Sequence, residues 1–102
     1  MGKPIKFTPD ADADIEAIAD FTFKRWGADK ELFYLEKIYG AIDDISDSPE
    51  IGKKRDDIKK GYHAYDIEEY LIFYRILASH IDILGVTGSN RNFKDLYKNR
   101  KS

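Results

Sequence analysis

The sequence contains no cysteine and no long apolar run. Without cysteine the chain can form neither a disulfide nor a thiolate metal site, so nothing argues against a reducing cytoplasm. No apolar stretch approaches the roughly 20 residues that cross a bilayer. The opening segment, MGKPIKFTPD, lacks the apolar core of a secretory signal peptide. We therefore expect a single cytoplasmic domain over residues 1–102, with no membrane association, no metal and no cofactor.

Charge is unevenly distributed along the chain, although the formal net charge is only -2. Residues 1–52 hold 6 Lys and Arg against 12 Asp and Glu, whereas residues 53–102 hold 11 against 7. The basic residues cluster in KKR at 53–55, in KK at 59–60 and in a basic tail over residues 93–102. This asymmetry predicts a face that attracts an anionic partner, with solvated lysines that keep a small domain soluble as the alternative explanation.

Two amphipathic helices are predicted in the first half of the chain. Thr8 followed by Pro9 is typical of a helix start, because the hydroxyl can cap free N–H groups and proline suits the first turn. Mostly apolar residues then recur at three- and four-residue steps until Gly27, a typical helix stop; they are Ala11, Ile15, Ile18, Thr22 and Trp26. The stripe of a second helix, from about Asp29 to Asp47, consists of Leu32, Leu35, Ile38, Ile42 and Ile45. The short link between them predicts an antiparallel helical hairpin.

Segments with strand character flank these helices. PIKFT alternates apolar and polar residues and predicts an opening strand, whose free edge is a template for additional strand pairing. After the linker SPEIGKKRDDIKKG, the runs YHAYDI, YLIFYRIL and IDILGVT predict a three-strand antiparallel meander with the nearly all-apolar YLIFYRIL at its centre. The predicted order of elements is β-α-α-β-β-β. This order indicates an α/β fold, more closely of the α+β type, in which the helical hairpin packs on a small antiparallel sheet.

The order and spacing of several landmarks resemble the RelE/ParE superfamily, and its ParE-like toxins in particular. In the first helix the similar positions are Ala11, Asp14–Ile15, Ile18, Phe21–Thr22 and Trp26–Gly27. Farther on, SPEIGKKRDDIKKGYHAY resembles the family's Pro-x-x-Gly, Arg-x-x-Ile/Leu and Gly-Tyr segment, and YLIFYRIL and IDILGV resemble the two strands that follow. The resemblance covers residues 4 to 92. It implies the toxin of a bacterial type II toxin–antitoxin pair and a cognate antitoxin that binds along the hairpin and the sheet edge.

The resemblance also implies one of two targets. RelE-like toxins cut messenger RNA in the ribosome, whereas ParE-like toxins poison DNA gyrase. Metal-free RNA cleavage needs a general base, a general acid and cations that stabilise the charged phosphorane. The residues that could supply these groups are Lys53, Lys54, Arg55, His63, Arg75, Arg91 and Tyr97.

Two departures from the family pattern favour gyrase as the target. His63 stands where the family commonly has an arginine, and Gly88 stands where many members have a histidine at the end of the last strand. The segment VTGSNR offers no base that titrates near neutral pH, because the arginine in it cannot abstract a proton. We therefore predict inhibition by binding, with no catalytic residue and no sequence-specific DNA binding. The candidates for contacting the target are Arg55, His63, Arg75 and Arg91.

Two alternatives remain open. The first is a ribosome-dependent mRNA endonuclease that uses His63 as the base and Arg55 and Arg75 as charge stabilisers. The second is a non-toxic module that keeps the fold and sequesters an antitoxin, which the departures at His63 and Gly88 would also explain.

Three polar residues in the strand region also have structural explanations. Arg75 is expected to form an ion pair with Asp66 or Glu68 of the adjacent strand. His63 is a lone strand histidine, and such residues are more often structural than catalytic. His80 lies in the predicted turn ASH, so we expect it to be exposed to solvent.

Overall fold

The computed structural model describes residues 2–88, which form two helices packed on a five-stranded mixed sheet. The elements, in chain order, are β1 (Ile5–Phe7), α1 (Pro9–Trp26), α2 (Ala28–Asp47), a 3₁₀ helix (Pro49–Ile51), β2 (Lys53–Lys54), β3 (Tyr62–Ile67), β4 (Tyr70–Ile76) and β5 (Ile81–Gly88). The predicted order is confirmed, and β2 is an additional strand inside the segment that was interpreted as a linker. Within these residues, neither α1 nor α2 is apolar enough to serve as a membrane span.

The strands are arranged in the order β1-β5-β4-β3-β2. The predicted meander is present, since β3 pairs with β4 and β4 with β5, both antiparallel, and β4 lies at the centre of the sheet. However, β1 runs parallel to β5, with Ile5 opposite Ile81. The sheet is therefore mixed rather than antiparallel. Whether β1 runs parallel or antiparallel to its neighbour depends on where the chain re-enters the sheet after the helical hairpin. Local sequence patterns do not determine this.

Thr8 caps the start of α1 and also forms a hydrogen bond with the sheet. Its side-chain oxygen accepts a hydrogen bond from the N–H of Ala11 at 3.2 Å and donates to the carbonyl of Ile83 at 3.0 Å. Pro9 occupies the first turn, as predicted. A single glycine, Gly27, then separates the helices; its φ of 92° lies in a region that L side chains rarely adopt, so this abrupt reversal favours glycine there.

The main core lies between the hairpin and the sheet. Four of the five residues predicted for the α1 stripe are buried, namely Ala11, Ile15, Ile18 and Thr22, as are Ile38, Ile42 and Ile45 of α2. Two predictions were wrong, because Trp26 is 54% exposed and Leu32 is 58% exposed. Both residues lie at the hairpin end, as do the exposed residues Phe21, Phe23 and Phe33. The helical period continues into this end, but the sheet no longer covers it.

Candidate functional site

The face of the sheet that points away from the helices, here called the outer face, carries most of the predicted polar candidates. Because side chains alternate along a strand, β4 directs Ile72 and Tyr74 toward the helices and Phe73 and Arg75 toward the outer face. The outer face has a small apolar cluster of its own, consisting of Tyr62, Ala64, Leu71, Phe73 and Leu84 with Ile58 packed against it.

A row of polar side chains crosses the outer face from one edge of the sheet to the other. Arg75 lies opposite Tyr62 of β3 and opposite Asp82 of β5, and Asp82 lies beside Lys6 of β1. Arg55 follows β2 directly and joins the row by donating its backbone N–H to the Tyr62 carbonyl at 2.7 Å. Strands lie about 4.8 Å apart, so these five residues, here called the cross-strand row, place three cations within about 20 Å of one another.

Arg55 is held in a fixed orientation by an acidic neighbour. Its Nε and Nη2 donate to the two carboxylate oxygens of Asp57 at 3.0 and 3.1 Å. The guanidinium carbon lies 5.8 Å from the centre of the Phe73 ring, which places the group on the outer face. The positive charge of Arg55 is therefore partly neutralised within the chain.

Arg75 does not form the predicted ion pair. Strand register places Asp66 opposite Leu71, four positions from Arg75, and Glu68 lies in the turn that joins β3 to β4. The Nε atom of Arg75 is buried and has no hydrogen-bond partner among residues 2–88. The side chain as a whole keeps some exposed surface. Arg75 thus presents a cation that the described part of the chain leaves unpaired.

His80 is bound rather than freely exposed, contrary to the prediction. Its Nε2 lies 2.9 Å from a carboxylate oxygen of Asp82, and its Nδ1 lies 2.8 Å from the hydroxyl of Ser79. In the neutral ring, Nε2–H donates to Asp82 and the Ser79 hydroxyl donates to Nδ1. The side chains of His80 and Asp82 are each 18% exposed. Both ring nitrogens are therefore engaged.

His63 lies on the other face of the sheet from Arg55 and Arg75. It is opposite Tyr74 in the register of β3 and β4, and the two rings stack with their centres 5.4 Å apart. Its Nε2 lies 3.5 Å from the carboxylate of Glu50, and its side chain is only 7% exposed. The structure thus brings Arg55 and Arg75 to one face and separates His63 from both.

The remaining candidates fall into two groups. Lys53 and Lys54 form β2, where Lys53 lies opposite Ala64, an outer-face residue, and Lys54 lies opposite His63. Both lysines are exposed. Arg91 and Tyr97 lie outside the described residues.

A second surface of interest lies along α1 at the hairpin end. Phe21 is 56% exposed and meets Trp26 edge to face, with ring centres 6.0 Å apart. Phe21 also lines a groove of about 350 Å³ between α1 and the ends of β4 and β5, together with Asp14, Ala17, Ile18, Tyr70, Val86, Thr87 and Gly88. Exposed aromatic residues beside such a groove are typical of surfaces that bind another protein.

Comparison with known proteins identifies the family. Residues 5–93 match the model of the ParE toxin of the type II toxin–antitoxin system parDE. The chain is 36% identical over 87 residues to Toxin ParE1 of Mycobacterium tuberculosis, an alignment that covers 84% of this chain and 89% of that protein. The chain belongs to the ParE toxin family. A more distant relative in this family, Toxin ParE1 of Caulobacter vibrioides, is 24% identical over 90 residues, which are 88% of this chain and 93% of that protein.

Two solved structures have the fold of this ParE family member. The chromosomal ParDE toxin–antitoxin system from P. aeruginosa matches with a TM-score of 0.73 and 23% identity, covering 84% of this chain and 95% of that chain. The RelBE2 toxin–antitoxin complex from Mycobacterium tuberculosis matches with a TM-score of 0.59 and 22% identity, covering 86% and 99%. At these identities the likeness concerns the fold alone.

The landmarks that carried the resemblance to ParE have structural roles. Pro49 and Gly52 of the Pro-x-x-Gly segment both form hydrogen bonds with the hydroxyl of Tyr74, a residue of the central strand. The hydroxyl donates to the Pro49 carbonyl at 2.6 Å and accepts from the Gly52 N–H at 3.0 Å. A Cβ at position 52 would lie 2.6 Å from that hydroxyl, so the landmark glycine gives the tyrosine room. These landmarks therefore report the fold rather than a catalytic centre.

Sequence reasoning missed the pair formed by His80 and Asp82. A signal was available, because Asp82 is the only charged residue in IDILGV and follows His80 by two positions. In a strand, residues two apart share a face. A charged acid in a mostly apolar strand therefore needed a nearby donor, and His80 was the nearest histidine along the chain.

Proposed function

We propose that this chain arrests bacterial growth by binding and inhibiting DNA gyrase, and that a cognate antitoxin neutralises it in the cytoplasm. Membership of the ParE toxin family supports this proposal. The resemblance described above implies gyrase as the target of ParE-like toxins. In this proposal the outer face contacts the target, and Arg55 and Arg75 are the candidates that lie there.

The observation that carries the choice of gyrase over messenger RNA is the separation of His63 from the two arginines. A base and the cations that stabilise a phosphorane must reach the same scissile group. His63 is buried on the helix side of β3, whereas Arg55 and Arg75 belong to the outer face. His80 does not replace it as a free base, because both its nitrogens are engaged. This arrangement favours binding over RNA cleavage.

The experiment that tests the target combines a purified system with cells. The purified chain is titrated into a supercoiling assay with DNA gyrase, with topoisomerase I relaxation of the same plasmid as the control. In parallel the chain is induced without antitoxin while the DNA damage response and bulk translation are followed. We expect loss of supercoiling and a damage response with translation intact. Unchanged supercoiling over a wide concentration range, or an immediate loss of translation, would contradict the proposal.

The antitoxin is proposed to occupy the surface along α1. The exposed pair Phe21 and Trp26, together with the adjacent groove, offers apolar area that the described part of the chain does not cover. A second contact is the free edge of β1. The backbone groups of Pro4 and Thr8 point inward, with the Ile81 N–H donating to the Pro4 carbonyl and the Thr8 N–H to the Ile83 carbonyl. Backbone direction alternates along a strand, so the N–H and C=O of Ile5 face the free edge, where an added strand would form hydrogen bonds.

A further inference from the structure

Arg75 and Asp82 are positioned to form an ion pair, yet they do not. They lie directly opposite each other on β4 and β5, where side chains of opposite charge normally attract. Within residues 2–88, however, Asp82 is bound by His80 at 2.9 Å, and the buried Nε of Arg75 has no partner. A buried donor without an acceptor is rare in folded proteins and carries a desolvation cost. Asp82 therefore binds His80 and leaves unpaired an arginine on the neighbouring strand that could donate to it.

His80 is itself held in place by the turn in which it lies. The Leu77 N–H donates to the His80 carbonyl at 2.9 Å, which closes the turn between β4 and β5. The Ser79 hydroxyl fixes the ring from its other nitrogen. Because the ring is bonded at both ends, it fixes the Asp82 carboxylate through Oδ1, and this oxygen is not available to Arg75.

We propose that Arg75 is the docking point for a carboxylate of the target protein, and that His80 keeps this point vacant by holding Asp82. The proposal rests on the proposed function, in which the target is a gyrase subunit that the outer face contacts. A guanidinium offers two parallel N–H groups to a carboxylate, and the side chain of Arg75 keeps some exposed surface through which a carboxylate can approach it. Arg75 is then a target-binding residue and His80 a positioning residue.

A carboxylate fits this position better than a nucleic-acid backbone does. Double-stranded DNA carries one negative charge per about 1.7 Å of its axis and selects surfaces with many unpaired cations. On the outer face the cations are interrupted by acids, and Arg55 is already bound by Asp57. Within residues 2–88, the charged residues that strand register or an ion pair places there include Lys6, Lys53, Arg55 and Arg75 against Asp57, Asp66 and Asp82. Arg75 has an acid on the neighbouring strand and a donor that is unpaired within residues 2–88, so it is suited to a single carboxylate.

The test compares the binding of purified gyrase to variants of the full chain. Arg75→Lys keeps the positive charge but removes the two parallel N–H donors of the guanidinium, and we expect it to weaken binding about 10- to 100-fold. His80→Ala releases Asp82 to pair with Arg75 and should also weaken binding. The double variant His80→Ala/Asp82→Asn removes the competing acid, so it should return affinity close to that of the wild type. Lys37→Gln, on α2, is the control for the loss of a positive charge and should bind like the wild type.

The double variant makes the test specific to the proposed role of His80. A merely structural histidine would lower the melting temperature without being rescued by the change at Asp82, so thermal unfolding is measured for every variant. The proposal would be overturned if Arg75→Lys bound within twofold of the wild type. It would also be overturned if the double variant bound no better than His80→Ala alone.

A second measurement separates this proposal from the choice of gyrase as the target. The ¹⁵N–¹H signal of the Arg75 Nε is followed by NMR while sodium acetate, sodium phosphate or sodium chloride is added at equal ionic strength. We expect a saturable shift with acetate that is larger than the shift with phosphate. If the wild type leaves gyrase unaffected but this shift is seen, the target is wrong and the carboxylate site stands. No saturable shift with acetate, or a stronger response to phosphate, would refute the site itself.

Discussion

The carboxylate of Asp14 on α1 accepts a hydrogen bond from the backbone N–H of Val86 on β5, at 3.0 Å. The parallel pairing of β1 with β5 extends only as far as Ile83. Beyond that point the edge of β5 has lost its strand partner, and Asp14 provides an acceptor that a longer β1 would otherwise supply. The residue therefore ties the first helix to the end of the last strand.

Replacing Asp14 should destabilise the fold. Asp14→Ala leaves the Val86 N–H without this acceptor, and we expect the free energy of unfolding to fall by about 1–3 kcal/mol. Asp14→Asn should cost less, because the amide oxygen can still accept. The control is Asp12→Ala, an exposed residue in the first turn of α1, for which about 0.3–1 kcal/mol is expected from the helix dipole. Urea unfolding measures all three, and equal losses at positions 12 and 14 would contradict the assignment.

The hydroxyl of Tyr74 should be important for stability. It joins the sheet to the segment after α2 through its bonds to Pro49 and Gly52. Tyr74→Phe leaves that carbonyl and that N–H unpaired, and we expect a loss of about 1–3 kcal/mol in the free energy of unfolding. Tyr65→Phe is the matched control, since the Tyr65 hydroxyl makes no hydrogen bond within residues 2–88. It should stay within about 0.5 kcal/mol of the wild type.

Sequence patterns predicted the helices, the meander and the family, because each depends on local periodicity or on the spacing of landmarks. They did not predict β2, since two exposed lysines carry no strand pattern and pair only because β3 lies beside them. They also failed for Arg75, whose partner depends on strand register, and they did not place His63, whose face depends on the alternation along β3. The sequence thus identified candidate residues by their chemical type. Which of them share a face of the sheet could be known only from the strand register.

Stability should decline at high pH through Tyr34. The hydrogen bond that Tyr34 donates to Glu69 at 2.7 Å, together with burial, raises the pKa of Tyr34 from 10.0 to about 12. The folded state therefore keeps a proton that the unfolded chain loses near pH 10, and the stabilising contribution is lost as the pH rises through 12. Between pH 10 and pH 12, the free energy of unfolding measured by urea titration should fall more steeply with pH for the wild type than for Tyr34→Phe.

The tyrosinate absorbance at 295 nm gives an independent check on Tyr34. Glu69→Gln removes the negative charge that holds the phenol proton, so the Tyr34 pKa should move back toward 10.0, its ordinary value. Identical spectrophotometric titrations of the wild type and Glu69→Gln would show that Glu69 does not control the ionisation.

His63 should be dispensable for growth arrest if the proposed function is correct. The ring stacks on Tyr74 beneath the helices, so it cannot share a substrate with Arg75 on the outer face. We expect His63→Gln to arrest growth as the wild type does, with a lower melting temperature from the lost stacking. Arrest is scored by viable counts after induction, at matched levels of folded protein. Loss of arrest in a variant that still folds would favour the endonuclease hypothesis, in which His63 is the base.

Phe21 should separate neutralisation from toxicity. It is exposed, so Phe21→Ser should change the free energy of unfolding by no more than about 0.5 kcal/mol. An aromatic anchor beside a groove is typically a binding hot spot, and its removal should weaken antitoxin binding by at least about 10-fold. Cells that express Phe21→Ser should therefore arrest even when the cognate antitoxin is co-expressed.

The matched control for Phe21 is Ile51→Ser. Ile51 is also an exposed apolar residue, 43% exposed, but it lies in the 3₁₀ helix near the opposite edge of the sheet from β1. Antitoxin should still rescue cells that express this variant, and isothermal titration should give the affinity of the wild type. If both variants were rescued equally well, the antitoxin would have to bind elsewhere, and the free edge of β1 would become the first surface to test. A loss of rescue in both would instead indicate that exposed apolar area in general, rather than the groove along α1, determines neutralisation.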